Sequence, residues 1–287
     1  MLHGSSASPY NGAIHSEEPD GPGVMPMRSM LAATLAAAVL GMAAPLPCPA
    51  AQEAPEAEDD PFAAARARMV QRHLVERGIK DERVLEAFRT VPRHRFVPEE
   101  YQRLSYEDES IPIGEGQTIT PPFDVAFMTE VLEPKETDTV YEVGTGSGYQ
   151  ASILGQLVAE VYSVEIHEPL AARAAEVIRD LGYDNIHSRP GDGYLGWPEA
   201  APFDKIIVTC APEAIPPPLV EQLKEGGRMV IPIGSRFDQK VYVFDKKGGQ
   251  LEGGPVRPTL FVPMTGKAQR EAAERRAKGD APEPRVP

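Results

Sequence analysis

Apolar positions in the chain fall into two kinds of run. Phe62, Ala65, Met69, Val70 and Leu74 recur at helical spacing, with Asp60-Pro61 as a start signal and Gly78 as a stop. A second short helix is expected from Asp81 to about Thr90, ending before Pro92. Residues 91–119 read as loop, rich in Pro and Gly with short apolar pieces, and a helix is expected over residues 121–132. Beyond this the apolar residues bunch into short strands at 139–143, 161–166, 185–189, 205–208 and 228–233. The strands alternate with helices at 149–158, 169–181 and 215–223. Residues 241–244 and 259–263 read as late strands, antiparallel to the rest. Strand–helix alternation predicts an α/β, Rossmann-like, doubly wound and mostly parallel sheet with helices on both faces.

The ends differ from this middle. Residues 1–26 carry Gly, Ser, Pro and acids without apolar period. Met27-Arg28-Ser29 then leads into the apolar run 30–46, too short for a confident membrane span, followed by Cys48-Pro49-Ala50-Ala51. That order reads as a signal peptide and predicts export. Glu17, Glu18 and Asp20 before it fit a basic leader poorly, which a start at Met25 or Met27 would resolve. Residues 51–60 read as an acidic linker, so 1–60 forms an extension, 61–266 the folded domain, and 267–287 a charged, disordered tail. The chain has 287 residues and a formal net charge of −14, which disfavours nucleic acid as a partner. Its two cysteines, Cys48 and Cys210, make neither a disulfide framework nor a thiolate metal site, and its histidines have no metal spacing. No stable membrane partner is expected, and the chain is expected to act as a monomer.

The richest stretch is Tyr141-Glu142-Val143-Gly144-Thr145-Gly146-Ser147-Gly148, a hydrophobic strand running into three alternating glycines and then a helix. Glycine turns the backbone sharply and lets a ligand lie on bare peptide. The third glycine comes one residue earlier than in a dinucleotide loop, which disfavours a dehydrogenase. Glu142 would repel a pyrophosphate but suits the ammonium of a methionine group, directly or through water. Glu165 stands near the end of the next strand, where a carboxylate accepts from ribose hydroxyls. Gly191-Asp192-Gly193 follows at the end of the third, where Asp192 can accept from an adenine amino group and the glycines leave room for a flat base. Each feature alone reads as a plain turn or a solvated acid; in this order they favour an adenosyl ligand.

At these residues the chain resembles bacterial protein-L-isoaspartate O-methyltransferases over residues 69–264. The resemblance is carried by GEGQTIT (114–120), YEVGTGSGYQ (141–150), GDGYLGW (191–197) and PFDKIIVTCA (202–211), with VPRHRFVP (91–98) and FVPM (261–264) in support. It implies S-adenosyl-L-methionine as cofactor, held by Gln117, Thr118, Glu142, Gly144, Gly146, Gly148, Glu165, Asp192 and Gly193. It also implies isoaspartyl-containing proteins and peptides as partners, and methyl transfer to the α-carboxylate of an L-isoaspartyl residue. Thr120 stands where the family carries a hydroxyl and is the candidate catalytic residue, with Gln117 and Thr118 on the same wall. Two departures stand out: Thr120 is followed by Pro121-Pro122, and Cys210 stands where alanine is frequent. Thr120 is also placed to cap the helix that Pro121 begins. A methyltransferase for another carboxylate or small molecule, and a non-catalytic adenosyl-binding module, remain the alternative readings.

Overall fold

The computed structural model describes residues 60–279; the expected leader and linker lie outside them. α1 (Ala63–Met69) opens the fold, with Asp60 accepting the Phe62 N–H at 2.9 Å. It continues through a π turn (Val70–Leu74) and a 3-10 turn (Val75–Arg77) and stops at Gly78, whose φ of 99° few other residues adopt. α2 (Glu82–Thr90) is capped by the Asp81 side chain on the Arg83 and Val84 amides.

β1 (Ile111–Gly114) and β2 (Gln117–Ile119) form a small antiparallel hairpin within the stretch read as loop. Its two-residue turn, Glu115-Gly116, has positive φ at both positions, the geometry that joins twisted antiparallel strands tightly. α3 (Pro122–Leu132) follows.

β3 (Thr139–Val143), α4 (Tyr149–Gly155), β4 (Glu160–Glu165), α5 (Glu168–Asp180), β5 (Ile186–Pro190), β6 (Phe203–Val208), α6 (Pro217–Gln222), β7 (Leu223–Gly234), β8 (Gln239–Lys247) and β9 (Gln250–Thr259) complete the domain with α7 (Lys267–Ala277). The seven-stranded sheet has the order β5-β4-β3-β6-β7-β8-β9. Its first five strands are parallel, and β8 and β9 add antiparallel hairpins at one side.

Alternation along the strands fills two cores. Val140, Val161, Ile207, Val230 and Val241 point to one, where α2, α3, α4 and α5 pack. Tyr141, Val164, Ile206, Met229 and Ile231 point to the other, covered by Leu219 of α6 and Ala268 of α7. Burial on both faces explains the near-continuous apolar runs of the parallel strands.

Two expectations need correction. The late strand is β9, which starts at Gln250 rather than at 259; residues 260–263 form an extended link pinned by the Ala211 amide on Val262 O at 2.8 Å. β9 holds Gly253, Gly254, Pro255 and Pro258, which an edge strand tolerates because one row of its amides has no partner to find. Residues 267–277 of the supposed tail form α7, whose Ala268 and Ala272 are buried. α7 is anchored by Tyr194 Oη donating to Glu271 at 2.8 Å and by the Lys267 amide donating to Asp192 at 2.8 Å. Among the described residues no helix is long and apolar enough to cross a membrane.

Ending the chain at Gly266 is therefore expected to lower Tm by several degrees in a circular-dichroism melt, since buried alanines and two hydrogen bonds are lost. An unchanged Tm would return residues 267–277 to the status of a tail.

Candidate active site

Parallel pairing sets the site. Val143 stands beside Val164 and Glu165 beside Pro190, so β3, β4 and β5 end at the same edge of the sheet. A cavity opens there, where ligands sit in open α/β sheets. The glycine loop forms its floor. Gly144 and Gly146 have φ of 94° and 55°, and a Cβ on Gly144 would stand 2.7 Å from Thr209 Oγ1. A Cβ on Gly193 would stand 2.5 Å from Val143 Cγ1. Bare backbone at these positions is a steric requirement of the cradle.

Glu165 is 4% exposed, and its carboxylate is already placed: Oε2 accepts the Gly146 amide at 2.8 Å and Oε1 the His167 amide at 2.9 Å. Each carboxylate oxygen keeps acceptor capacity beyond these bonds. Asp192 accepts the Tyr194 amide at 3.1 Å and the Lys267 amide at 2.8 Å, so the start of α7 is fastened to the third strand end.

The structure brings Gln117, Thr118, Thr120, Gly144, Gly146, Glu165, Asp192 and Gly193 to one cavity. Gly148 and Glu142 stand apart from its wall. Gly148, with φ 91°, starts α4 and abuts Ala174 and Ile178. Glu142 lies fully buried beneath the loop. Its Oε2 accepts from Ser163 Oγ at 2.5 Å, and Ser163 in turn meets Thr145 Oγ1 at 2.5 Å. Its Oε1 has no hydrogen-bond partner among the described residues. Burial, assisted by the nearby Glu165 charge, pushes the Glu142 carboxyl up to about 8 against the pull of the Ser163 bond. An orphaned buried acceptor under a glycine cradle fits a ligand that brings a cation.

Thr120 is half-buried on the cavity wall and does not cap a helix. The N-cap of α3 is Pro121, and Asp108 caps it from outside by accepting the Phe123 amide at 2.8 Å. The capping reading of Thr120 is thereby replaced: Pro121 shifts the helix start one residue on, and the hydroxyl makes no hydrogen bond among the described residues. Cys210 is also in the wall, where burial and the Glu165 and Asp192 charges push its thiol up, so it is inert as a nucleophile.

Several residues of the site were outside the sequence reading. Thr209 hydrogen-bonds the carbonyls of Val143 and Gly144 at 2.9 and 2.7 Å and holds the glycine loop open. Tyr149 and Gln150 line the cavity, with Gln150 Nε2 donating to Thr129 at 3.0 Å. Val262, Pro263, Met264 and Thr265 close the side formed by the link after β9. Thr209, Tyr149, Gln150 and residues 262–264 fall inside the motifs that carry the family resemblance, which gave none of them a role of its own; Thr265 lies outside those motifs.

With this geometry in place, comparison with known proteins decides the family. The model of the protein-L-isoaspartate(D-aspartate) O-methyltransferase family matches residues 65–269. The chain belongs to this family. A protein-L-isoaspartate O-methyltransferase of Opitutus terrae is 52% identical over 201 residues, covering 70% of this chain and 86% of the relative. A protein-L-isoaspartate O-methyltransferase 2 of Shewanella sediminis is 47% identical over 222 residues, covering 77% and 91%. A solved protein-L-isoaspartate O-methyltransferase superposes with a TM-score of 0.68 at 30% identity, over 74% of this chain and 69% of that one. A Plasmodium falciparum structure described as the same kind of enzyme, in complex with S-adenosyl-L-homocysteine, gives a TM-score of 0.61 at 24% identity over 71% and 98%, and shares the fold.

The buried acid gives a pH test. A carboxyl with an ordinary value of 4.5 when unfolded and about 8 when folded costs stability as pH rises between those values, because unfolding releases a proton the native state keeps. The penalty is absent below about 4.5 and complete above about 8. Glu142→Gln preserves the acceptor for Ser163 and removes the titration. Its Tm relative to the parent should rise from pH 5 to pH 9, measured by scanning calorimetry without cofactor. A difference that stays flat across that range would show that Glu142 is not held protonated.

Proposed function

We propose that this chain transfers a methyl group from S-adenosyl-L-methionine to the α-carboxylate of L-isoaspartyl residues in proteins and peptides. The observation that carries the reading is the convergence of Thr120, the glycine loop, Glu165 and Asp192 on one cavity, in a chain that belongs to the isoaspartate methyltransferase family. The cofactor supplies an electrophilic methyl on a sulfonium. Everything else is positioning.

Glu165 is set to accept the ribose hydroxyls, its carboxylate fixed by the Gly146 and His167 amides. Asp192 and Gly193 offer an acceptor and a flat, side-chain-free surface for adenine. Glu142, mostly protonated at neutral pH while the site is empty, would give up that proton and favour the ammonium group from beneath the loop, with Thr145 and Ser163 as the polar path between them. Gln117 and Thr118, on and beside the β1–β2 hairpin, wall the side where the methyl is transferred.

An α-carboxylate is ionised at neutral pH, so no strong general base is needed. The reaction demands that oxygen, carbon and sulfur be aligned and water kept out, which is catalysis by orientation. Thr120 is the residue that orients: its hydroxyl makes no hydrogen bond among the described residues and donates to the carboxylate oxygen that does not attack. A small-molecule carboxylate as substrate is the second reading, supported by Thr120-Pro121-Pro122 and nothing further.

Thr120→Val is expected to reduce turnover on an isoaspartyl peptide by on the order of tenfold to a hundredfold, the loss of one hydrogen bond to a charged acceptor. Cofactor affinity and Tm should stay near the parent values, since the hydroxyl caps no helix. Thr120→Ser should keep most of the activity. Full turnover in Thr120→Val would remove the hydroxyl from the mechanism. Methylation of normal aspartyl peptide as fast as isoaspartyl peptide would contradict the substrate.

A further inference from the structure

Behind the wall that carries Thr120 lies a cation with no ionic partner among the described residues. Arg93 is 0% exposed. Its Nε donates to Ser105 O at 2.8 Å and its Nη2 to Thr120 O at 2.7 Å, while Nη1 has no hydrogen-bond partner among the described residues. Its guanidinium lies over the ring of Tyr149, 4.7 Å from the centroid. That ring lines the cavity, and its buried hydroxyl also lacks a partner. Asp108, an acid whose charge reaches Arg93, is engaged elsewhere, with Arg77 and the Phe123 amide. Burial brings the guanidinium down to about 10, so it stays charged at neutral pH.

An unpaired charge in an apolar interior is unfavourable, and a core of this kind would be served as well by an apolar side chain and two other donors. The arrangement has a use if an anion enters from the cavity side. We propose that Arg93 is a positioning residue for the reacting carboxylate. It fixes Thr120 by its carbonyl and supplies, from behind the Tyr149 ring, a positive charge that favours a carboxylate over a neutral group in the cavity. The inference rests on the substrate reading above and adds the origin of the site's preference for an anion. The guanidinium does not itself line the cavity; it reaches it through the Thr120 carbonyl and the Tyr149 ring. The carboxylate therefore remains nucleophilic rather than locked in a salt bridge.

The same charge acts on the cofactor with opposite sign. S-adenosyl-L-methionine carries a sulfonium and S-adenosyl-L-homocysteine a neutral thioether, so a buried cation nearby disfavours the first relative to the second. Arg93→Gln removes the charge and keeps a donor; Arg93→Lys keeps the charge. Three quantities test the idea with the purified full chain. The first is KM and kcat for an isoaspartyl peptide. The second is competition between that peptide and its α-carboxamide analogue. The third is the ratio of the Kd values for S-adenosyl-L-methionine and S-adenosyl-L-homocysteine.

Arg93→Gln should raise KM at least tenfold on the scale of a lost charge interaction, with a smaller change in kcat. It should also erase most of the preference for acid over amide and shift the Kd ratio severalfold towards S-adenosyl-L-methionine. Arg93→Lys should retain the acid preference and the parent ratio even where its Tm falls. A merely structural role would lower Tm and activity in both variants and leave the ratio and the acid preference untouched, which would overturn the proposal. If Arg93→Gln does not fold, loss of acid preference in Arg93→Lys overturns it, as does an unmodified chain that takes acid and amide within threefold of each other. Absence of turnover on the isoaspartyl peptide by the unmodified chain would contradict the substrate reading instead, while the Kd ratio still reports the buried charge.

Discussion

The parallel pairing of β3, β4 and β5 is the constraint on which the site depends. Parallel strands in register all point their carboxyl ends one way, so the three turns that follow them must share one edge. The order β5-β4-β3-β6 puts the glycine loop in the middle, the Glu165 turn on one side and the Thr209 hydroxyl on the other. No single residue could assemble this. The sheet brings together three segments, about twenty to thirty residues apart, that share no local contacts. The cores on both faces then hold the strand ends rigid, and rigidity is what an orienting catalyst requires.

The polar groups of the site are held by short buried links to the backbone. The Glu165 carboxylate spans from its own turn to the glycine loop and ties the two segments together. The run Thr145–Ser163–Glu142 crosses from loop to β4 to β3 and ends in an oxygen without a partner. Buried polar chains strengthen when complete and are costly when one end is open. Glu142 carries that open end, and its carboxyl holds a proton to well above the ordinary range. Asp192 extends the same logic to the C-terminal helix: this acid on the cavity wall also fastens the first amide of α7.

How much of this was legible in the sequence follows from where the determinants lie. The run 139–143 into three glycines was plain because strand propensity, the stop and the helix start agree within a dozen residues. Glu165, Asp192 and Gly193 could be placed because they fall at or just past the ends of the two strands that follow the glycine loop, although the second of these, Ile186–Pro190, is mostly polar. The β1–β2 hairpin stayed hidden: its strands are four and three residues long, Pro112 sits in one, and Glu115 occupies a turn position that usually takes Asn or Asp. β9 was masked by its glycines and prolines, which only its edge position permits. α7 has alanines as its buried face, so its docking depends on Tyr194 and Asp192, more than seventy residues earlier. Thr209 and Arg93 sit in motifs that carry the family resemblance, but their roles were not legible there, because each acts through carbonyls of other segments.

The central claim is that three strand ends form one adenosyl site beside Thr120, and a crystal structure of the chain with S-adenosyl-L-homocysteine tests it most directly. The account predicts ribose hydroxyls on the Glu165 carboxylate, adenine against Asp192 and Gly193, and the methionine ammonium over Gly144 towards Glu142, with the sulfur facing Thr120. A ligand whose ribose lies away from Glu165, or whose sulfur points away from the Thr120 wall, would contradict it.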